Sequence, residues 1–462
     1  MMMNTKKYIY IFLSVFLLSG CGKEFLEKKR DSKQVIPKDI KDYQAMLDAY
    51  KVINQNGSAN LGMVGGDEYS VTDAVMTTYK GFYPYEANGY IWAKEVFETK
   101  ESTDWNNAYQ RILYANLMLE VEKIKPSPAE QESWNNVKGG ALFVRAFSYY
   151  QLAQLFCKPY DAATASSDLG VPLKMTYDVT EKVNRGTVAG VYKQILADLE
   201  TAYPLVADQP INNFRPGKAA VAALLARTFL QMGNYERAGY YADQGLKYRA
   251  QLIDFRPMTI PALGELFISD YGVSNPEILF FVGNAIRPIT PYVGFNADPE
   301  LLALYDAGDI RLKAYFSETA DKRKAFRASY GGLLLTFNGL TTAELWLMRA
   351  ETRARAGQKQ LALDDLNQLR KHRYIALGYQ DVTAATADEA LALIVKERRK
   401  EFVYRGIRWE DLRRFNKDPR FAKTIKHTSY GKDYELPPND IRYVWPIPDN
   451  EIDLNGLQQN PR

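Results

Sequence analysis

The chain has 462 residues, 46% of them hydrophobic and 25% charged, so it can bury a large core and is not a disordered polymer. Its 59 Lys and Arg against 55 Asp and Glu leave a formal charge of +4, which excludes a dedicated nucleic-acid binder with a strong basic field. Two His and two Cys leave little material for histidine catalysis, metal clusters or a disulfide framework, whereas 32 Tyr, 6 Trp and 21 Phe point to aromatic surfaces used beyond core filling.

At the N-terminus, Lys6 and Lys7 precede an apolar run of 11 residues, Tyr8–Leu18. A spanning helix needs about 20, so the run reads as the hydrophobic core of a signal peptide. Leu18-Ser19-Gly20-Cys21 resembles a bacterial lipobox. It predicts a signal peptide over 1–20 and lipidation of Cys21 by acyl chains such as palmitate. A polar tether over 21–40 would then hold the body on a membrane outside the bacterial cytoplasm. Cys157 lies in an apolar helical pattern with Tyr150, Leu152, Leu155 and Phe156 and is expected to be a buried small hydrophobe.

The body, 41–462, reads as one α-helical domain. A first helix is expected near Tyr43 to Ile53. Residues 56–104 carry no sustained helical period and are expected to be irregular. Asp104 is a candidate N-cap for a helix from Trp105 to Ile124, closed by Pro126 and Pro128. A second helix is expected from about Glu130 to Phe156, and a third from Thr187 to Tyr203. In 217–248, Ala222, Ala226 and Phe229 precede Gly233-Asn234-Tyr235, and Ala238 and Ala242 follow. Small residues on either side of a tight turn match tetratricopeptide spacing. Trp346, Ala350, Gly357, Ala362 and Leu366 repeat the offsets in 344–370. Between the copies, 249–340 is expected to form loops and short strands. Helices over 387–404 and 407–416 and a Pro-rich, non-helical tail from 430 complete the chain. The fold class is therefore mainly α: a tetratricopeptide-like helix-pair scaffold with two irregular, loop-rich excursions, 56–104 and 249–340, forming a binding face.

Six segments in order then carry a resemblance. They are Trp105-Asn106-Asn107-Ala108-Tyr109; Gly140-Ala141 with Val144-Arg145-Ala146; Arg215-Pro216-Gly217-Lys218 with Leu225-Ala226-Arg227; Glu344-Leu345-Trp346-Leu347-Met348-Arg349-Ala350-Glu351; Glu397-Arg398-Arg399-Lys400-Glu401 with Gly406-Ile407-Arg408-Trp409-Glu410-Asp411-Leu412; and Trp445-Pro446-Ile447-Pro448 with Glu451 and Asn455. Together, behind a lipobox, they resemble the SusD/RagB family of outer-membrane lipoproteins of Bacteroidetes. One departure is Arg405, where an acid is expected before the glycine. The resemblance implies a surface-exposed protein that captures an oligosaccharide, or in some members a peptide. It would close the ligand over a TonB-dependent transporter, a SusC-like β-barrel, and break no bond. The other reading is a helical-repeat scaffold lipoprotein binding proteins in outer-membrane assembly.

Sugar binding needs aromatic faces and planar amides or acids for hydroxyl pairs. The excursions supply Trp92, Tyr90, Tyr83 and Tyr292 as platforms, with Asp67, Asn88 and Asn296 as hydrogen-bond partners. Trp346, Trp409 and Phe229 sit in helical motifs and are expected in the core. The charged run Glu397–Glu401 with Arg408–Arg414 is expected to be a structural ion-pair network. No pattern calls for a cofactor, a metal or a catalytic site. Gly217-Lys218 lacks the rest of a phosphate loop, and His372 and His427 form no HExxH motif. A glycosidase pair could be any two carboxylates, because their pairing is spatial, and Asp67 and Glu68 are the acids to inspect for it.

Overall fold

The computed structural model describes residues 37–98, 101–262, 264–267, 270, 272–285, 295–332 and 335–462. In chain order the first half contains α1 (Ile40–Leu47), α2 (Tyr50–Ile53), α3 (Asn60–Val64), β1 (Tyr69–Val71), α4 (Asp73–Phe82), α5 (Pro84–Tyr90), α6 (Thr103–Met118), α7 (Gln131–Phe156) and α8 (Val188–Ala202). The two helix pairs are α9 (Lys218–Gln231) with α10 (Tyr235–Tyr248), and α13 (Thr342–Arg355) with α14 (Lys359–Arg370). Between them lie β2 (Ile278–Phe280), β3 (Gly283–Ala285), β4 (Phe295–Ala297), α11 (Pro299–Leu302), α12 (Arg311–Tyr315), β5 (Phe316–Glu318), β6 (Lys324–Phe326), β7 (Leu335–Phe337) and β8 (Leu340–Thr341). The C-terminal part is α15 (Ala387–Glu401), α16 (Ile407–Phe415), β9 (Ile425–Ser429), β10 (Lys432–Leu436) and α17 (Asp449–Asn455).

The repeat turns form as their residues require. Gly233 and Gly357 take φ of +73° and +75°, the left-handed conformation that ends a helix and favours glycine. Asn234 caps α10 by accepting from Arg237 N, and Thr341 caps α13 by accepting from Glu344 N. Ala222, Ala226, Ala238, Ala242, Ala350 and Ala362 are all buried at the helix contacts. Cys157 is buried at the end of α7, and burial pushes its thiol up to about 11.

The motif charges pair inside the scaffold. The Arg227 guanidinium reaches both carboxylate oxygens of Glu344, at 2.7 and 2.5 Å, and ties α9 to α13. Arg145 holds Asp198 in the same bidentate manner at 2.8 and 2.7 Å, joining α7 to α8. Arg414 grips Glu351, Arg398 grips Asp411, and Arg311 meets Asp309, Glu397 and Glu401. These groups are almost fully buried, so each pair sets the register of two elements: losing one partner would strand a charge in a low-dielectric interior. Arg405 joins no ion pair among the described residues; its guanidinium lies 4.0 Å over the Tyr330 ring.

Several boundaries depart from expectation. Ser102, not Asp104, caps α6; the Asp104 carboxylate instead accepts from Asn60 N and Leu61 N at 3.0 and 2.8 Å, capping α3. The helix expected to reach Ile124 ends as α-helix at Met118 and tightens to a 3₁₀ turn, Leu119–Lys123. The expected first helix is broken into α1 and α2. Residues 56–104 are not irregular throughout: α3, α4 and α5 are too short to show a sustained period. The tail is not wholly non-helical, because α17 follows the β9–β10 hairpin. Trp409 and Phe229 are core residues, but Trp346 is only half-buried, its indole donating to Ala250 O. Among the described residues no helix is long and apolar enough to cross a membrane. Cys21 and the signal segment lie outside the described residues.

Candidate functional site

The two excursions come together. β1 of the first pairs antiparallel with β4 of the second, Tyr69 opposite Ala297 and Ser70 opposite Asn296. Behind the ladder they share one core of Val64, Met76, Tyr79, Leu301, Tyr305 and Phe326. The strand pair leads directly into α4, whose N-cap Thr72 accepts from Val75 N. Met76 and Tyr79 face that core, while Thr77, Lys80 and Phe82 face solvent, Phe82 being 74% exposed.

The tip of the β9–β10 hairpin lies on α4. Tyr430 and Gly431 have φ of +51° and +70°, the two left-handed positions of a tight two-residue hairpin. A tyrosine in this conformation carries strain. It is held there by Tyr430 N donating to Asp73 Oδ1 at 2.7 Å and by a 2.8 Å hydrogen bond between its hydroxyl and Thr77 Oγ1. Lys80 Nζ stands 4.7 Å from the ring centre, and the side chain stays 48% exposed. Tyr430 thus offers aromatic surface with Asp73, Thr77 and Lys80 as polar neighbours, and exposed Phe82 with half-buried Tyr83 offers more at the C-terminal end of α4. Such a surface can stack on sugar C–H faces and hydrogen-bond hydroxyl groups.

The residues expected from sequence divide between this patch and the interior. Trp92 and Tyr90 are not open platforms, being 1% and 0% exposed. They sandwich the His427 imidazole, with ring centres 4.4 and 4.1 Å away. The Trp92 indole donates to Gly65 O at 3.1 Å, and the His427 ring nitrogens lie 2.6 Å from Tyr90 O and 3.0 Å from Gly66 O. Burial pushes His427 down to about 4, opposed by the two carbonyl oxygens, which favour the protonated ring. The sandwich fastens β9 to the first excursion.

Asp67 is likewise occupied by protein. Its carboxylate accepts from Arg408 Nε at 2.6 Å, Arg408 Nη2 at 2.8 Å and Lys423 Nζ at 3.0 Å, and Arg399 stands 3.2 Å away. Burial opposes its charge, but these cations outweigh burial and hold the carboxyl well below the usual range. Its neighbour Glu68 is buried with one oxygen accepting from Tyr404 N at 2.9 Å, and burial pushes it up to about 7. Neither acid opens on a cleft as a glycosidase pair would.

Asn88, half-buried, donates to Val96 O and Glu98, and Asn296 Oδ1 accepts from Lys324 N at 3.1 Å, linking β4 to β6. Tyr292 lies outside the described residues. Sequence reasoning missed Tyr430 and Phe82. Tyr430-Gly431 between alternating segments was a legible hairpin signal. Phe82 carried no signal beyond being an aromatic at the end of a short helix.

Comparison with known proteins bears on most of the chain. A family model described as "Starch-binding associating with outer membrane" matches residues 24–230, and one described as "SusD family" matches residues 342–462. SusD-like protein P2 of Formosa agariphila is 23% identical over 426 residues, covering 78% of this chain and 80% of the relative. Among solved structures, a SusD superfamily protein from Bacteroides vulgatus matches with a TM-score of 0.71 at 21% identity, covering 92% of this chain and 99% of its own. A SusD-like carbohydrate binding protein from the same organism matches at 0.67 and 20% identity, covering 91% and 97%. At such identities the structures speak to the fold, while the family models take in both the segment that holds the excursion helices and the one that holds the ion-pair network. The chain therefore belongs to the SusD/RagB family, carbohydrate-binding proteins associated with the outer membrane.

Proposed function

We propose that the protein is a cell-surface lipoprotein, anchored through Cys21, that captures an oligosaccharide and delivers it to a TonB-dependent barrel transporter, which it covers as a lid. The observation that carries this reading is the pairing of β1 with β4, which unites both excursions into one face. On that face α4 and the hairpin tip expose Phe82, Tyr83 and Tyr430 beside hydroxyl and charged groups. A ligand bound there would rest on a platform stiffened by buried ion pairs, which suits capture and rigid-body gating.

The test is affinity capture of the protein from gently solubilised native outer membranes, followed by mass spectrometry. A β-barrel transporter in roughly equal amount is the expected result. Recovery of assembly factors without a barrel would overturn the lid reading. Glycan binding by the same preparation, followed by intrinsic fluorescence and product analysis, should show association without turnover.

A further inference from the structure

A second concave site lies away from the aromatic patch and shares no residue with it. It is a groove of about 370 Å³ between α6, the segment 172–183 and the end of α17. That volume is in the range of sites that enclose small ligands. Asn116 of α6 donates to Lys174 O and Thr176 O, both at 2.9 Å, and so pins the segment beside the helix as one wall.

Several polar groups of the groove are occupied within the protein. The Tyr109 hydroxyl donates to Pro172 O at 2.8 Å, Thr176 Oγ1 to Glu181 at 2.7 Å and Asn455 Nδ2 to Glu451 at 2.8 Å. Three side chains are not. Asn106 and Gln110 are exposed on α6, and neither has a side-chain hydrogen bond among the described residues; half-buried Lys174 has no ion pair there. Residues four apart on a helix project to the same side, so the two amides open together on the groove. Beside them the wall is apolar, with half-buried Tyr109 and Leu113 and with Val179, which is 76% exposed. Asp178 and Glu451 line the same groove and offset the charge of Lys174, so the site has no net field for an anion. A primary amide both donates and accepts, and its match is a ligand amide that does the same. Free amides beside an apolar wall therefore favour an uncharged ligand that carries an amide with a short apolar group.

We propose that this groove binds an N-acetylated hexosamine unit, its acetamide paired with Asn106 and Gln110, its acetyl methyl against Tyr109, Leu113 and Val179, and a ring hydroxyl accepting from Lys174. Resting on oligosaccharide capture as the protein's role, such a groove would add selectivity for acetamido sugars, separate from the Tyr430 patch.

The experiment is saturation-transfer NMR on the full-length, detergent-solubilised protein with N-acetyl-D-glucosamine, D-glucose, D-glucosamine and a panel of neutral oligosaccharides. N-acetylglucosamine should bind in the millimolar range, its acetyl methyl protons taking the strongest saturation. Glucose and glucosamine should bind at least about tenfold more weakly, because they lack the acetamide. Asn106→Ala and Gln110→Ala should each weaken N-acetylglucosamine about fivefold without lowering the melting temperature, because both side chains face solvent. Gln110→Glu, which keeps the shape and loses the amide donor, should weaken it as well. Absence of N-acetylglucosamine binding, equal binding of glucose, or saturation strongest on the ring protons would overturn the proposal. So would variants that bind as wild type does, since the sugar would then sit elsewhere. If neutral oligosaccharides still bind in those cases, capture stands and the groove alone is refuted; if no sugar of any kind binds, capture falls with it.

Discussion

Replacing Asp67 by Asn tests whether this acid is a ligand contact or an internal clamp. The carboxylate is 5% exposed and accepts three hydrogen bonds, two from Arg408 and one from Lys423. Arg399 retains Asp298 at 3.3 Å, and Lys423 retains Glu300, so the charge left without a partner is that of Arg408, whose side chain is 11% exposed. Breaking a buried pair by removing one partner costs about 3–5 kcal/mol, and that is the expected loss in urea-melt stability at pH 7. Because cations hold the folded-state pKa well below the ordinary value, the clamp's contribution is fully present above an unfolded pKa of about 3.9. It is lost as pH falls through the lower folded value, so the gap between wild type and Asp67→Asn should close in acid. Adding Arg408→Met should cost far less than the sum of the single changes, giving a coupling of about 2 kcal/mol or more. A loss under about 1 kcal/mol with no coupling to Arg408, together with a fall in glycan affinity, would refute the clamp and restore Asp67 to the ligand site.

Glu68, pushed up to about 7 by burial, keeps its proton longer in the folded state than in the unfolded one, so wild-type stability should fall as pH rises from about 4.5 through 7. Glu68→Gln should remove about 3 kcal/mol of that decline and be the more stable form at pH 8, as measured by urea melts across pH. Gly65→Ala should cost about 1–3 kcal/mol, since the added Cβ would come within 2.7 Å of the Trp445 ring and 3.0 Å of Trp409; an unchanged melting temperature would show that this packing is looser than described. Tyr430→Ala should weaken glycan binding about tenfold while leaving the melt within about 1 kcal/mol of wild type, because half of the ring faces solvent; glycan affinity equal to wild type would remove the hairpin tip from the site.

The motifs that made the family legible are largely not the residues that face a ligand. Arg145, Arg227, Glu344 and Glu351 stand out in sequence through the segments that resemble the family, and Arg398, Asp411 and Arg414 through a run of mixed charges at helical spacing. In the fold they are buried partners that register one helix against the next. Gly233 and Gly357 were equally legible, because a left-handed helix end favours glycine whatever surrounds it. Local chemistry thus determined the helix pairs, their turns, the scaffold class and the structural role of the charged run.

Tertiary structure decided which aromatics are exposed. Trp92 and Tyr430 are both aromatics outside the long helices, and sequence favoured Trp92. Only the fold brings His427 between Trp92 and Tyr90, 335 or more positions away along the chain, and so takes their faces from solvent. Only the fold turns Asp67 toward Arg408, and Asp104 toward the start of α3 rather than its own helix. Side-chain exposure depends on long-range pairing, whereas helix period, capping and turn geometry are set within a few residues. The scaffold could therefore be read from the sequence, and the exposed patch on α4 and the hairpin could be assigned only once β1, β4 and β9 were in place.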